Sequence, residues 1–262
     1  MHNMIHPTAI IEDGVQLGEN VKVGAYAVIE SGAVIGNNCV IEHHASIRGY
    51  ARIGDNCKIA SFAVIAGDPQ DLHFDTSIKS YVEIGEGSTI REGATIHRAT
   101  FEGMSTKIGK NALMMANSHI GHDCVVGDNY IQACFSALGG HVHIGNDVFV
   151  SGGVMVHQRC RIGDGVIVSG NGAMSMDIPP YTIAFERNFL AGLNLIGMNR
   201  RKMPREEIAE VKSLYMQVFK TTAARKTALV LLEAGVAKTS AGKNFLEFFK
   251  EEKRYVAPRD RS

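Results

Sequence analysis

Val23-Gly-Ala-Tyr-Ala-Val-Ile29-Glu-Ser-Gly-Ala-Val-Ile35-Gly-Asn-Asn-Cys-Val-Ile41 carries an aliphatic residue at every sixth position. The phase runs back through Leu17 and Ile11 to Ile5, and forward through Ile47, Ile53 and Ile59 to Ile65, without a miss. A helix repeats every 3.6 residues and a half-buried strand every two, so neither gives sixes. A parallel β-helix does. Each hexad is a short strand plus a corner, three hexads close a triangular coil of about 18 residues, and coils stack at about 4.8 Å. The aliphatic residue then points into a narrow prism. Gly often follows it, as at Gly18, Gly36, Gly54, Gly85 and Gly109, where the backbone turns. Cys39, Cys57, Cys124 and Cys160 all lie two residues before the aliphatic position. They read as small core residues, not as disulfides or metal ligands; Cys134 is out of phase.

The phase slips across residues 66–82 and resumes at Ile84. It misses at Glu102 and Gln132, then runs from Leu138 to Val168. The polar segments 66–77 and 98–106 interrupt an array that does not need them for stability, which makes each a candidate substrate loop. Hexads fade after Met174, and Asp177-Ile-Pro-Pro-Tyr181 reads as an exit turn. From Pro204 the period becomes helical, with a stripe of Ile208, Val211, Leu214, Tyr215 and Val218. Further helices are predicted over residues 222–234 and 240–253, followed by a loose tail from Ala257. The sequence therefore predicts an all-β parallel β-helix over residues 1–186 and a small C-terminal α-helical domain over 187–262.

The 262 residues hold 27 Lys and Arg against 27 Asp and Glu, which argues against a globally basic nucleic-acid binder. The balance hides an asymmetry: residues 187–262 hold 16 basic and 8 acidic side chains, and residues 1–186 hold 11 and 19. A basic domain on an acidic prism can draw an acidic protein or a phosphorylated ligand. No nucleic-acid motif or aromatic stacking platform accompanies it, so nucleic acid is not an expected partner. No apolar run reaches the roughly 18 residues of a membrane span, and the first residues lack the charged and apolar regions of a secretory signal. The expectation is a cytoplasmic chain with no transmembrane segment.

His97, His119, His122, His141, His143 and His157 fall in the later hexads. Steps of one coil put Gly140 and Gln158 in a column with His122, and Asp123 under His141. His122 beside Asp123 is a plausible base and orienter, because a carboxylate fixes the imidazole tautomer and stabilises the imidazolium. Gly140 can present a backbone N–H to an oxyanion with no side chain in the way. No nucleophile accompanies them, since the phase of Cys124 points into the core. A base and an oxyanion donor without a nucleophile suggest direct acyl transfer to a hydroxyl or amine; a purely structural histidine ladder is the alternative.

Several stretches carry a family resemblance. Asn117-Ser-His-Ile-Gly-His-Asp-Cys124, Leu138-Gly-Gly-His141 and Val156-His-Gln158 closely resemble the acyl-carrier-protein-dependent UDP-N-acetylglucosamine O-acyltransferases, which begin lipid A synthesis in Gram-negative bacteria. So do Ile5-His-Pro-Thr-Ala-Ile10, Gln70-Asp71-Leu72, Thr95-Ile-His-Arg98, Asp177-Ile-Pro-Pro-Tyr181, Gly192-Leu-Asn194 and Arg200-Arg201. The resemblance spans nearly the whole chain. It implies a left-handed parallel β-helix and a homotrimer with sites in clefts between prisms. It also implies transfer of an (R)-3-hydroxyacyl chain from acyl carrier protein to the glucosamine 3-hydroxyl.

His122 would be the general base, Asp123 its orienter and Gly140 the oxyanion donor. Gln70, Asp71 and His97 would contact the sugar nucleotide, with His73 beside them; His119, His141, His157 and Gln158 would line the same site. Asn194 and Arg200 would serve the UDP or phosphopantetheine end, with Arg201 a further substrate-binding residue. Gly170 matches the position of a hydrocarbon ruler and would leave room for a long acyl chain. No permanently bound cofactor is implied; the acyl-phosphopantetheine of the carrier protein is the donor.

The chain departs from the family pattern in four places. His73 stands where Lys is usual, Ala99 where Gly is usual, and Cys134-Phe135 where an Asn pair is usual; residues 185–191 run one residue short. The first two flank the sugar site, so a 3-amino analogue of UDP-N-acetylglucosamine is the alternative acceptor. The sister N-acyltransferase carries an extra domain before its hexads, whereas these begin at Ile5. A non-catalytic scaffold is the reading from a different class. Some hexapeptide proteins resemble γ-class carbonic anhydrases, whose zinc ligands include histidines two coils apart. No His pair here has that spacing, so no metal is expected.

Overall fold

The computed structural model describes residues 4–258. Short strands, most of two residues, recur along the chain from Met4–Ile5 to Ala173–Met174 and stack in parallel on three faces; with three later strands added to one face, the sheets count twelve, nine and eight strands among the described residues. The nine-stranded sheet shows the coil directly. Ile29 pairs with Ile47 and Ile47 with Ile65; Ile120 pairs with Leu138 and Leu138 with Val156. These side chains fill the prism and are almost wholly buried. This is the left-handed parallel β-helix with a C-terminal helical cap that the hexads and the resemblance predict.

The corners explain the remaining regularities. Most corners hold one residue in the left-handed backbone conformation, and along one edge of the prism it is often an Asn, as at Asn20, Asn38, Asn56, Asn111 and Asn129. A short polar side chain tolerates that conformation best among non-glycine residues. Asn20, Asn38 and Asn56 also hydrogen-bond to one another up the prism. The buried thiols of Cys39, Cys57 and Cys124 donate to the carbonyls of Gly54, Gly85 and Gly139. They are the small core residues expected; Cys134 is half-buried.

Gln132, which breaks the hexad pattern, is fully buried in the prism. Its Nε2 donates to the carbonyls of His119 and Ser136, bridging from one sheet to another. The miss is thus an amide that exchanges apolar packing for two hydrogen bonds.

The first insertion accounts for the slip in phase, and the second, which adds one whole hexad, for the miss at Glu102. Ile53 pairs with Ile84 instead of a residue one coil away, and Ile84 pairs with Ile108. Both insertions leave the prism at the same corner, after the strands Val64–Gly67 and Thr95–His97 of the nine-stranded sheet.

Thr182–Phe185 and Phe189–Leu193 form an antiparallel hairpin on the twelve-stranded sheet, and the 186/187 division falls in its turn. Four helices follow: α1 (Leu195–Arg200), α2 (Arg205–Val218), α3 (Ala224–Glu233) and α4 (Ser240–Glu247). Helix α1 is too short for a periodic signal and was not predicted. In α2, Val211, Leu214, Tyr215 and Val218 are buried as the stripe predicts, with Ile208 half-buried. Helix α4 ends at Glu247, short of Lys253, and passes into a 3-10 turn over Phe248–Lys250.

The predicted loose tail is corrected at its start. Ala257–Pro258 pairs with Phe189 and Leu190; the rest of the tail lies outside the described residues. The cap is locked to the prism by polar contacts. Arg161 Nη2 donates to Phe248 O at 2.9 Å and its Nη1 pairs with Glu251 at 2.8 Å, and Asn244 Nδ2 donates to Asp164 Oδ2 and the Tyr181 hydroxyl. Among the described residues no helix is long and apolar enough to cross a membrane.

Candidate active site

The corner that releases both insertions also carries His122, Gly140 and Gln158 in successive coils. The strand His119–Ile120 ends there, and Asp123 takes the left-handed conformation with φ 58°. His122 Nδ1 lies 2.8 Å from Asp123 Oδ2. The second insertion closes over the same carboxylate. Thr100 donates its N–H to both oxygens, at 3.1 and 3.2 Å, and its hydroxyl to Oδ2 at 2.7 Å. Thr106 Oγ1 accepts the Asp123 N–H at 2.8 Å. His141, in the coil above, brings Nε2 to 3.7 Å from Oδ2.

Burial raises the Asp123 pKa, but the hydrogen bonds from His122 and Thr100 outweigh it and hold the group below the usual carboxylate range. An ionised Asp123 accepts, so His122 Nδ1 carries the proton. Nε2 is then the free lone pair, the state a general base needs.

Gly140 is packed against that ring. A Cβ on Gly140 would lie 2.6 Å from His122 Nε2 and would also overlap Cε1, so only glycine leaves the imidazole in place. Its N–H is equally distinctive. At equivalent corners that donor is capped by the coil above: Asn37 N–H by Asp55, Lys110 by Asp128, and Asn146 by Asp164. Gly140 N–H has no partner among the described residues, because Gln158 stands where those corners place an Asp or Asn. An uncapped donor beside a base suits a developing oxyanion.

His97 and His119 extend the site toward the first insertion. Their rings meet edge to face at 4.7 Å, and His119 Nδ1 bonds Thr95 Oγ1 at 2.7 Å. Burial, then the charges of His119 and His122, lowers the His97 pKa to about 4. Burial and His122 lower that of His119 in the same way. Both are neutral at pH 7 and offer hydrogen bonds without charge.

This shift predicts a pH effect on stability. An unfolded imidazole titrates near about 6.5. Between there and the folded value the unfolded chain binds more protons, so stability is lost as pH falls through that window. His97→Asn should remove up to about 1.4 kcal/mol per pH unit of that slope. Urea unfolding of both proteins between pH 7 and pH 4.5 measures it; identical slopes would remove His97 from the acid response.

The other expected residues divide. Gln70, Asp71 and His73 sit exposed on the first insertion, where Asp71 Oδ1 accepts the His73 N–H at 2.9 Å. His157 and Gln158 are exposed one coil above Gly140. Gly170 lies at a different corner, on the opposite edge of the nine-stranded sheet, stacked over Gly152 and Cys134. Asn194 is buried and its amide is spent on structure: Nδ2 donates to Gly165 O, and Oδ1 caps α1 through Gly197 N. Arg200 is exposed, but Arg201 is half-buried, 4.0 Å from Asp147.

Thr100, Thr106 and Gln132 were not singled out from sequence. Thr100 and Thr106 bracket the second insertion, and Gln132 is the broken hexad, so each had a signal of position without one of role. Among the described residues, His122, Asp123 and His141 also form a group of potential metal ligands whose donor atoms lie within 4.8 Å. The Asp123 oxygens there are already engaged by His122 and Thr100.

The chain and its fold are similar to known proteins. The family model of the UDP-N-acetylglucosamine O-acyltransferase second domain matches residues 177–257, and that of the bacterial transferase hexapeptide matches residues 32–67. An acyl-(acyl-carrier-protein)–UDP-N-acetylglucosamine O-acyltransferase from Anaeromyxobacter dehalogenans is 47% identical over 254 residues, covering 96% of this chain and 98% of that protein. The structure of the UDP-N-acetylglucosamine acyltransferase from Campylobacter jejuni matches with a TM-score of 0.90 at 37% identity, covering 98% of this chain and all of that one. That of the Francisella novicida UDP-N-acetylglucosamine acyltransferase matches with a TM-score of 0.91 at 30% identity, covering 98% and 95%.

Proposed function

Because the chain belongs to the family of acyl-carrier-protein-dependent UDP-N-acetylglucosamine O-acyltransferases and is an acyltransferase, we propose that it moves an (R)-3-hydroxyacyl chain from acyl carrier protein to the 3-hydroxyl of UDP-N-acetylglucosamine, the first step of lipid A biosynthesis. One observation carries the mechanism: His122, oriented through Nδ1 by Asp123, lies against Gly140 and its uncapped N–H. His122 Nε2 takes the proton of the sugar hydroxyl as its oxygen attacks the thioester carbonyl. Gly140 N–H holds the oxyanion, and the imidazolium, stabilised by Asp123, returns the proton to the leaving phosphopantetheine thiol. Burial pushes the Cys124 thiol up to about 12, which argues against a covalent acyl-enzyme.

The names of the relatives favour the 3-hydroxyl acceptor over its 3-amino analogue. Purified protein incubated with (R)-3-hydroxyacyl carrier protein and UDP-N-acetylglucosamine should yield an ester, cleaved by mild alkali and identified by mass spectrometry. Failure to form it, or faster acylation of the amino sugar to an alkali-stable amide, would reject the reading.

The exposed basic side chains Arg200, Lys202 and Arg205 support docking of an acidic carrier protein. Arg201, between them in the chain, is half-buried beside Asp147 and is not counted in that set. Reversing the three exposed charges should raise KM for the carrier, most strongly at low salt, because rim charges act on association. An unchanged KM at low salt would sink the docking surface.

The Gly170 corner supports the acyl-groove expectation. A Cβ there would meet only Gly152 O, at an ordinary 3.4 Å, so crowding does not require glycine. Gly170→Met should therefore fold normally and shift preference to shorter chains, about fourfold for each buried methylene displaced. An unaltered ratio of rates across a thioester series would reject the groove. His122 and Gly170 border opposite edges of one sheet. A homotrimer in which one chain's His122 faces the next chain's Gly170 corner would unite them; light scattering should then report three chains per particle.

A further inference from the structure

Arg98 follows His97 in the chain and is the largest fully buried side chain among the described residues. A buried guanidinium is costly unless its donors are used, and these are used on a single segment. Nε donates to Asp68 Oδ1 at 2.7 Å, Nη2 to Thr76 O at 2.9 Å and Nη1 to Ile78 O at 2.5 Å. Asp68 is one foot of the first insertion; Thr76 and Ile78 form the other. The rings of Tyr50 and Phe74 flank the cation at 4.3 and 4.7 Å. One planar fork therefore gathers both ends of the segment whose tip bears Gln70 and Asp71.

The same short stretch reaches the base. Two residues on, Thr100 makes three hydrogen bonds to the Asp123 carboxylate. Between them, Ala99 O accepts the buried Ser80 hydroxyl, at the far end of the insertion. The run Arg98-Ala99-Thr100 thus ties the loop to the residue that orients His122.

We propose that Arg98 is a positioning residue for the sugar nucleotide: its guanidinium clamps both feet of the first insertion and sets the loop tip in fixed relation to the His122–Asp123 pair. This rests on the proposed function, in which that tip contacts the sugar nucleotide. Arg98 touches no reacting atom, so it acts through binding. A Lys has the charge but one donor centre where three carbonyl and carboxylate groups are spread around a fork.

Steady-state kinetics of Arg98→Ala should show KM for UDP-N-acetylglucosamine raised about tenfold or more, equivalent to at least about 1.4 kcal/mol. KM for acyl carrier protein should stay unchanged and kcat should fall much less. Arg98→Lys should not restore the sugar KM. Millimolar methylguanidinium should lower it in Arg98→Ala and leave Arg98→Lys as it is, because only the truncated side chain opens the cavity. Asp68→Asn, a milder change, should raise the same KM severalfold and decides the matter if Arg98→Ala does not fold. A wild-type enzyme that fails to acylate UDP-N-acetylglucosamine overturns both the proposed function and this inference. An active wild type with an unchanged sugar KM in Asp68→Asn and in any folded Arg98 variant overturns this inference alone.

Discussion

His122→Ala is expected to lower kcat by about 10²–10⁴-fold, the range of a general base. Its fold should survive. The half-buried ring stands at a corner outside the apolar core, and the Asp123 carboxylate keeps all three Thr100 hydrogen bonds when the imidazole is removed. No buried charge is left unpaired, so the loss should appear in the rate and not in the melting temperature. Binding and the Gly140 N–H remain, so turnover should stay above the uncatalysed reaction. Near-normal kcat in a stably folded His122→Ala protein would remove His122 from the chemistry.

The second large effect comes from adding one methyl group. Gly140→Ala keeps the backbone N–H, and Gly140 does not need a left-handed conformation, so neither the oxyanion donor nor the backbone is lost outright. The new Cβ instead lies 2.6 Å from His122 Nε2. The ring must swing away, and that breaks its 2.8 Å contact with Asp123. A misplacement of about 1 Å can cost about 10²-fold, so kcat should fall by that order. Groups acting as a unit are non-additive. With no imidazole to displace, the methyl should cost little in the His122→Ala background. A double variant about 100-fold slower than His122→Ala would show that Gly140 acts apart from the base.

The prism was readable because hexads leave no other solution: eleven aliphatic residues from Ile5 to Ile65 fall in one phase, and adding 18 to a number finds the residue stacked above it. That arithmetic brought Gly140 over His122 before any coordinates. It failed where the period stops. The insertions have no repeat, so nothing in the sequence said that Thr100 would fold back onto Asp123 or that Arg98 would be buried. Asn194 and Arg201 are expected at a ligand; their additional contacts at the junction between prism and cap have no signal in the sequence. Helix α1, six residues long, has too few turns to show a face. Gln132 looked like noise because a polar residue in the core is legible only once its two carbonyl partners are known.

The stacked corners of this prism make its chemistry digital. Groups on one edge can be moved apart only in whole rungs, and removing a single hexad carries everything downstream to the next face. If the acyl chain lies along Cys134, Gly152 and Gly170 as proposed, that strip is a graduated scale of this kind, with a mark at each coil. Coarse changes in the cargo it admits would come from choosing another rung, and fine ones from the size of the side chain set on it. Selection, or an engineer, can therefore retune the length of the cargo without disturbing the rung on which the bond is made.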